Sequence, residues 1–224
     1  MALLHHAEIT PSKLELLTTW APTQPWFAGN TGIAFSNLGA YRFDDPAGEV
    51  GIETVFLQTD DGVVLQIPLT YRGAPLVGGE QWLITTMQHS VLGERWVYDG
   101  VGDPVYLSAV ASAALTGGVQ AEQYFDEDGE RIVREPTARV VGDGQFGTPT
   151  PGVPPIDAIS TRDEGTTTIA NAGEFSVTVL RQFSTPSQNT TVPTTDTASA
   201  PTATLAGGWL AQSDPQRLVL VTVG

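Results

Sequence analysis

Gly142-Asp143-Gly144-Gln145-Phe146-Gly147 has the G-x-G-x-x-G spacing of a phosphate-cradling loop, in which glycines let backbone N–H groups approach the oxygens. Such a loop must open a helix, and Thr148-Pro149-Thr150-Pro151 follows instead, so the stretch reads as a flexible connection. Asp126-Glu127-Asp128-Gly129-Glu130 faintly resembles a calcium loop, but the remaining ligands and a Glu at the twelfth position are missing; a solvated hairpin tip is the reading. Asp60-Asp61-Gly62 is the same case. His5, His6 and Glu8, with His89 as a distant fourth group, suit zinc chemically but lack a recognised convergent spacing. His89-Ser90 places a base beside a hydroxyl, yet sequence neighbours rarely face each other and no G-x-S-x-G elbow occurs. No catalytic, cofactor or metal site is therefore assigned.

Aromatic residues offer a different chemistry. Trp20, Trp26, Trp82, Trp96 and Trp209, with Tyr41, Tyr71, Tyr98 and Tyr106, could stack on sugar rings, although a β-rich chain of this size needs most of them for packing. Trp26 and Phe27 follow a helix in a Pro-rich approach, and if exposed they would form an interaction patch; Trp96 and Tyr98 complete the candidate set.

The elements that would position these residues are mostly strands. Thr10-Pro11 reads as the cap and first residue of a helix from about 11 to 20, with Leu14, Leu17 and Trp20 on its docking side. Strands are predicted over 40–43, 50–58 and 63–71, the last two joined at Asp61-Gly62. Segments 81–90 and 104–115 read as helices, the second opened by Asp103-Pro104 and closed by Gly117-Gly118. Further strands are predicted at 120–125, 130–134, 137–141, 166–170, 175–183, 208–211 and 218–223. The Ser/Thr/Pro-rich stretch 184–204 reads as a disordered loop.

Composition narrows the partners. The formal charge is −15, from 25 Asp plus Glu against 10 Lys plus Arg, and Lys13 is the single lysine, so nucleic acid and anionic membrane surfaces are disfavoured. There is no cysteine, no leader pattern and no apolar run of membrane-spanning length, which points to the cytoplasm.

Trp20-Ala21-Pro22-Thr23-Gln24-Pro25-Trp26-Phe27-Ala28-Gly29, the strand Val64 to Arg72, and Arg95-Trp96-Val97-Tyr98-Asp99-Gly100 with Asp103-Pro104 resemble the N-terminal cap of actinobacterial maltokinases. Glu164 to Ile169 and Glu174 to Phe183 resemble two strands of the intermediate subdomain that flank the nucleotide in those kinases, so the likeness covers most of 19–183. The resemblance implies a phosphate-binding lysine on the second strand. The matching position is Val179, which carries no charge. The helical lobe that would hold the catalytic Asp is also expected to be missing.

The expectation is an α+β protein. A cap-like antiparallel meander with three short helices occupies 1–118, and a second, kinase N-lobe-like antiparallel sheet occupies 119–224. The implied function is a non-catalytic accessory or regulatory protein of α-glucan or trehalose metabolism, acting through a protein partner or as a homo-oligomer. The alternative is an α-glucan-binding protein using exposed aromatics; a glucan-active enzyme or sugar kinase is third, since 224 residues of this pattern do not make a barrel-sized catalytic domain.

Overall fold

The computed structural model describes residues 2–4, 6–29, 32–183, 202–210, 212 and 214–224. In chain order the strands are β1 (Ala2–Leu4), β2 (Ile9–Thr10), β3 (Phe35–Phe43), β4 (Gly51–Thr59), β5 (Val64–Arg72), β6 (Leu83–His89), β7 (Gly93–Asp99), β8 (Gln123–Glu127), β9 (Glu130–Arg134), β10 (Ala138–Gly142), β11 (Ile159–Glu164), β12 (Thr167–Ala172), β13 (Phe175–Leu180), β14 (Gln182–Phe183), β15 (Ala203–Trp209) and β16 (Gln216–Val223); the helices are α1 (Lys13–Trp20) and α2 (Pro104–Thr116).

Among the described residues three sheets form. A seven-stranded sheet runs β2-β6-β7-β5-β4-β3 with β14 added on β5; a six-stranded one runs β10-β15-β16-β13-β12-β11; a small one runs β1-β8-β9. The seven-stranded sheet is central because both its faces are covered, and β4 and β5 are accordingly buried along nearly their whole length. On one face Val55, Leu57, Leu65, Ile67 and Leu69 pack with Leu16, Leu17 and Trp26 from α1 and its exit. On the other, Tyr41, Ile52, Phe56 and Val64 share the main core with α2 and with Val177, Val179, Leu218, Val219 and Val221 of the six-stranded sheet. This core runs uninterrupted across residue 118.

α1 starts later than its sequence suggests. Ser12 is the N-cap, its hydroxyl accepting from the Glu15 N–H while the Glu15 carboxylate accepts from the Ser12 N–H, a reciprocal capping box that outcompetes Thr10. Leu16 takes the buried place expected for Leu14, which is 39% exposed.

The helix expected over 81–90 is not formed: after one short turn, Leu83–His89 is a strand paired antiparallel with β7. Its β-branched Ile84, Thr85 and Thr86 suit a ladder, and pairing in the sheet satisfies a whole row of backbone groups that an isolated amphipathic turn would leave to water. The molecule thus has two α-helices among the described residues, not three. α2 forms as expected, with the Asp103 carboxylate accepting from the Val105 N–H and Gly117 closing it at φ +71°. Of the stretch expected to be a loop near 184–204, residues 184–201 lie outside the described residues, while Ala203 and Thr204 belong to β15.

Candidate functional site

Three buried carboxylates organise the polar interior of the described residues, and each is already engaged. Arg181 is the one residue between β13 and β14, and so the point where the chain leaves the six-stranded sheet for the seven-stranded one. Its N–H donates to the Thr166 carbonyl at 2.8 Å and its carbonyl accepts from the Gln66 N–H at 2.8 Å, so its backbone links both sheets. Its side chain is fully buried, with Nη2 donating to Asp99 Oδ2 at 2.7 Å and Nε to Thr168 Oγ1 at 2.8 Å. The Trp26 ring covers the guanidinium at 5.0 Å, a cation–π contact. Burial pushes the Asp99 carboxyl up from its ordinary value, with the Arg181 charge pulling the other way. Gln66 adds a second bridge between the sheets, its Nε2 donating to the Leu180 and Leu218 carbonyls at 3.1 and 3.0 Å.

Asp103 is the second. It accepts bidentately from Arg72, both contacts at 2.7 Å, and from the Thr70 hydroxyl at 2.7 Å while capping α2.

Glu53 is the third, at the floor of a cleft of about 650 Å³ between the small sheet and the central one. It accepts from Lys13 Nζ at 2.5 Å, Arg42 Nη2 at 3.1 Å and the Tyr71 hydroxyl at 2.8 Å. Burial would raise its pKa, but the Lys13 and Arg42 charges and the hydrogen bonds from Lys13 and Tyr71 outweigh burial and hold it far below the usual carboxylate range. Tyr71 is pushed well above the ordinary phenol by burial and by that same carboxylate. Glu53 is therefore a fixed anion and Tyr71 a fixed donor, a combination that holds shape and does not exchange protons near neutral pH. Arg95 and Arg134 also line the cleft, so four of the chain's ten basic residues (with Lys13 and Arg42) meet there.

The sequence candidates divide by burial. Trp26 and Tyr98 are each 1% exposed, so the exposure on which a stacking or docking role depends is not met at either. Trp26 lies edge-on to Trp20 and against Arg181; the Tyr98 hydroxyl accepts from the Leu76 N–H at 2.8 Å. Phe27 is half-buried and edge-on to Phe35, and Trp96 is half-buried against the main core. The structure does not bring the four into one patch: Trp26 and Phe27 belong to the α1 side and Trp96 and Tyr98 to the other. Arg181 and Glu53 were missed by sequence reasoning; a basic residue closing an apolar β run was the one available signal for Arg181.

The minor motifs also find places. Gly142 and Gly144 lie against the last turn of α2, where the Gly144 N–H donates to the Ala114 carbonyl at 2.9 Å. A Cβ on Gly144 would sit 1.9 Å from the Leu115 carbonyl oxygen, so these glycines serve helix packing, not a phosphate. Asp128 and Gly129, at φ +55° and +87°, form the tight turn between β8 and β9, and Asp126 Oδ1 accepts from the Gly129 N–H. His89 Nδ1 accepts from the Val91 and Leu92 N–H groups, and Ser90 Oγ from the Glu8 N–H, so neither aligns the other for chemistry. His6 stacks on Phe125 at 4.2 Å, while His5 lies outside the described residues. No group of three His, Cys, Asp or Glu side chains converges among the described residues, and no helix is long and apolar enough to cross a membrane.

No curated protein matches the chain. The segment from α1's last residue through the Asp99 and Asp103 ion pairs, residues 20–103, matches the family model of the maltokinase N-terminal cap domain, and the match ends before the β12–β13 hairpin.

Proposed function

We propose that this chain is a non-catalytic, cap-like accessory protein of maltose, trehalose or α-glucan metabolism, acting in the cytoplasm by binding another protein. The match of 20–103 to the maltokinase cap supports the metabolic setting. The observation that carries the non-catalytic reading is the state of the buried carboxylates: Glu53, Asp99 and Asp103 are each tied to a cation of the fold itself at 2.5 to 2.7 Å. Val179, the position that the kinase likeness pairs with a phosphate-binding lysine, is wholly buried in the main core. The nearest base on the same strand run, Arg181, is committed to Asp99, Thr168 and Trp26.

The test is co-purification of the tagged chain from its native host, with mass spectrometry of what remains at high salt, alongside calorimetry with ATP and Mg²⁺. A stoichiometric partner that handles maltose, trehalose or α-glucan, with no heat of nucleotide binding, is the expected result. Magnesium-dependent ATP binding, or turnover of maltose, refutes it.

A second reading rests on the cleft, whose volume falls in the range of small-molecule sites and whose walls combine Arg42, Arg95 and Phe125 with the Tyr71 hydroxyl. Retardation in a glycogen affinity gel that is lost in Arg95→Ala favours an α-glucan ligand. Trp26→Ala is not a usable probe, because Trp26 is core.

A further inference from the structure

We infer that the exposed strip over residues 146–155 is a preformed ligand of polyproline type, taken up by a partner protein in a groove lined with aromatic rings and rimmed with Lys or Arg. This rests on the interaction reading above and names its surface and the kind of partner it fits.

Residues 148–155 include the prolines Pro149, Pro151, Pro154 and Pro155. Each proline fixes its own φ and pushes the residue before it out of the helical region, so every position of this run except Gly152 is biased towards the extended left-handed helix of about three residues per turn. No helix or strand forms over 148–155, and Pro155 has φ −67° and ψ 148°, the angles of that extended helix. Burial follows the same period. Thr148 and Pro151 are half-buried and Pro154 is buried, while Pro149, Thr150, Gly152, Val153 and Pro155 are exposed. One edge of the run therefore lies on the protein, where Ser108 Oγ of α2 donates to the Pro151 carbonyl at 3.2 Å. The other two edges, one with Pro149, Gly152 and Pro155 and one with Thr150 and Val153, face water.

An aromatic ring stands at the head of this run. Phe146 is 99% exposed, the most open large apolar side chain among the described residues. It does not sit on a slack loop. Residues 145–148 form a type II turn with Gly147 at φ +87°, and the Gln145 carbonyl accepts from both the N–H and the hydroxyl of Thr148, at 3.0 and 2.7 Å. Just before the turn, the Asp143 N–H donates to the Thr204 carbonyl at 3.0 Å and the Asp143 carboxylate accepts from the Thr204 N–H at 2.6 Å. A backbone fixed in this way presents the ring with little left to order on binding. A large aromatic held out in water is the form of anchor that fills a partner's pocket.

These features fix the kind of partner. An unbroken β ladder with another strand is closed to the run, because its prolines have no N–H to give. What it offers instead is two ridges of rings and small side chains on a stiff helix, the shape that flat aromatic side chains grip at low entropic cost. The strip from 146 to 155 is uncharged, and the nearest charges at its two ends are the exposed carboxylates Asp143 and Asp157. A rim of Lys or Arg complements both, whereas an acidic rim would be repelled by them and by a chain of net charge −15. Phe146 precedes the run and calls for an apolar pocket at one end of the groove.

The experiment puts a photo-reactive benzophenone side chain in place of Phe146 in the full chain, expressed in its native host, with the same group in place of the exposed Val133 on β9 as the control. Irradiation should link position 146, and not position 133, to one partner protein, and mass spectrometry should map the link to a groove with aromatic side chains and neighbouring Lys or Arg. With that partner purified, Phe146→Ala and Val153→Asp should each weaken binding about tenfold or more. Both should leave the melting temperature unchanged, because neither side chain is packed. A link to a second copy of this chain, a link no stronger than that from position 133, a link to a surface without aromatic residues, or full affinity in both variants each overturns the proposal. A stoichiometric metabolic partner that both variants still bind refutes this strip alone; a link from 146 into such a groove on a protein that handles no maltose, trehalose or α-glucan refutes the accessory role alone.

Discussion

The pair at the sheet junction and the network under the cleft use the same kinds of groups and reach opposite electrostatic states. Asp99 has one guanidinium, and desolvation prevails, raising its pKa. Glu53 has Lys13, Arg42 and the Tyr71 hydroxyl, and these prevail over an equal degree of burial. The difference is the number of donors each carboxylate gathers and, with it, how much of each pair can be lost. At the junction, removal of one partner strands the other in the core. Under the cleft, several partners share the load and Lys13 is partly open to water.

The sharpest break of that comparison is Arg181→Met. It leaves the Asp99 carboxylate buried beside Trp26 and should cost about 3–5 kcal/mol in urea or guanidinium unfolding at neutral pH. Because burial already raises the Asp99 pKa and loss of the Arg181 charge removes what opposes it, that cost should shrink as the pH falls and Asp99 takes up its proton. Adding Asp99→Asn should recover part of the loss, since both charges then leave together; a double variant as unstable as the sum of the singles would separate the two residues energetically.

Glu53→Gln comes next, at about 2–3 kcal/mol, the scale of hydrogen bonds to a buried charge. Here the pH dependence has the other sign. A carboxylate whose folded pKa is depressed contributes stability above its ordinary value of 4.5 and loses it as the pH drops below that. The wild type should therefore lose stability between pH 5 and the acid limit, and Glu53→Gln should flatten that slope; an unchanged slope would show that Glu53 is not the group responsible. Lys13→Met is the smallest, at about 0.5–1.5 kcal/mol, because Arg42 and Tyr71 still hold Glu53. If it matched Glu53→Gln, the sharing of load would be false.

How far the sequence revealed this arrangement depended on distance along the chain. Asp61-Gly62 announced the β4–β5 hairpin and Asp103-Pro104 announced α2, because turn and cap chemistry acts over a few residues. Leu83–His89 was misread because Gln81 and Trp82 do open one helical turn, and only β7 pairing shows the strand beyond it. Trp26 was misplaced for a similar reason. Its cover is Arg181, over 150 residues away, and no local pattern reports such a neighbour. The Gly142–Gly147 spacing was legible as unsuited to phosphate, but the close approach to α2 that its glycines permit was not. The four aromatic candidates fall in two layers because Trp96 and Tyr98, two apart on β7, share one face while the α1 exit carries Trp26 and Phe27 to the other.

The Arg181–Asp99 contact has a bearing on where this molecule can be divided. Residue 99 lies inside the stretch that matches the maltokinase cap, and residue 181 lies well outside it. Gln66 repeats the pattern with Leu180 and Leu218, and Asp103, the last matched residue, is the cap of a helix that begins one residue later. A fragment trimmed to the recognisable stretch would therefore open a charged wound along its inner face and shed the counterpart of its own core. The unit that inheritance marks out and the unit that can stand alone in water are not the same length of chain.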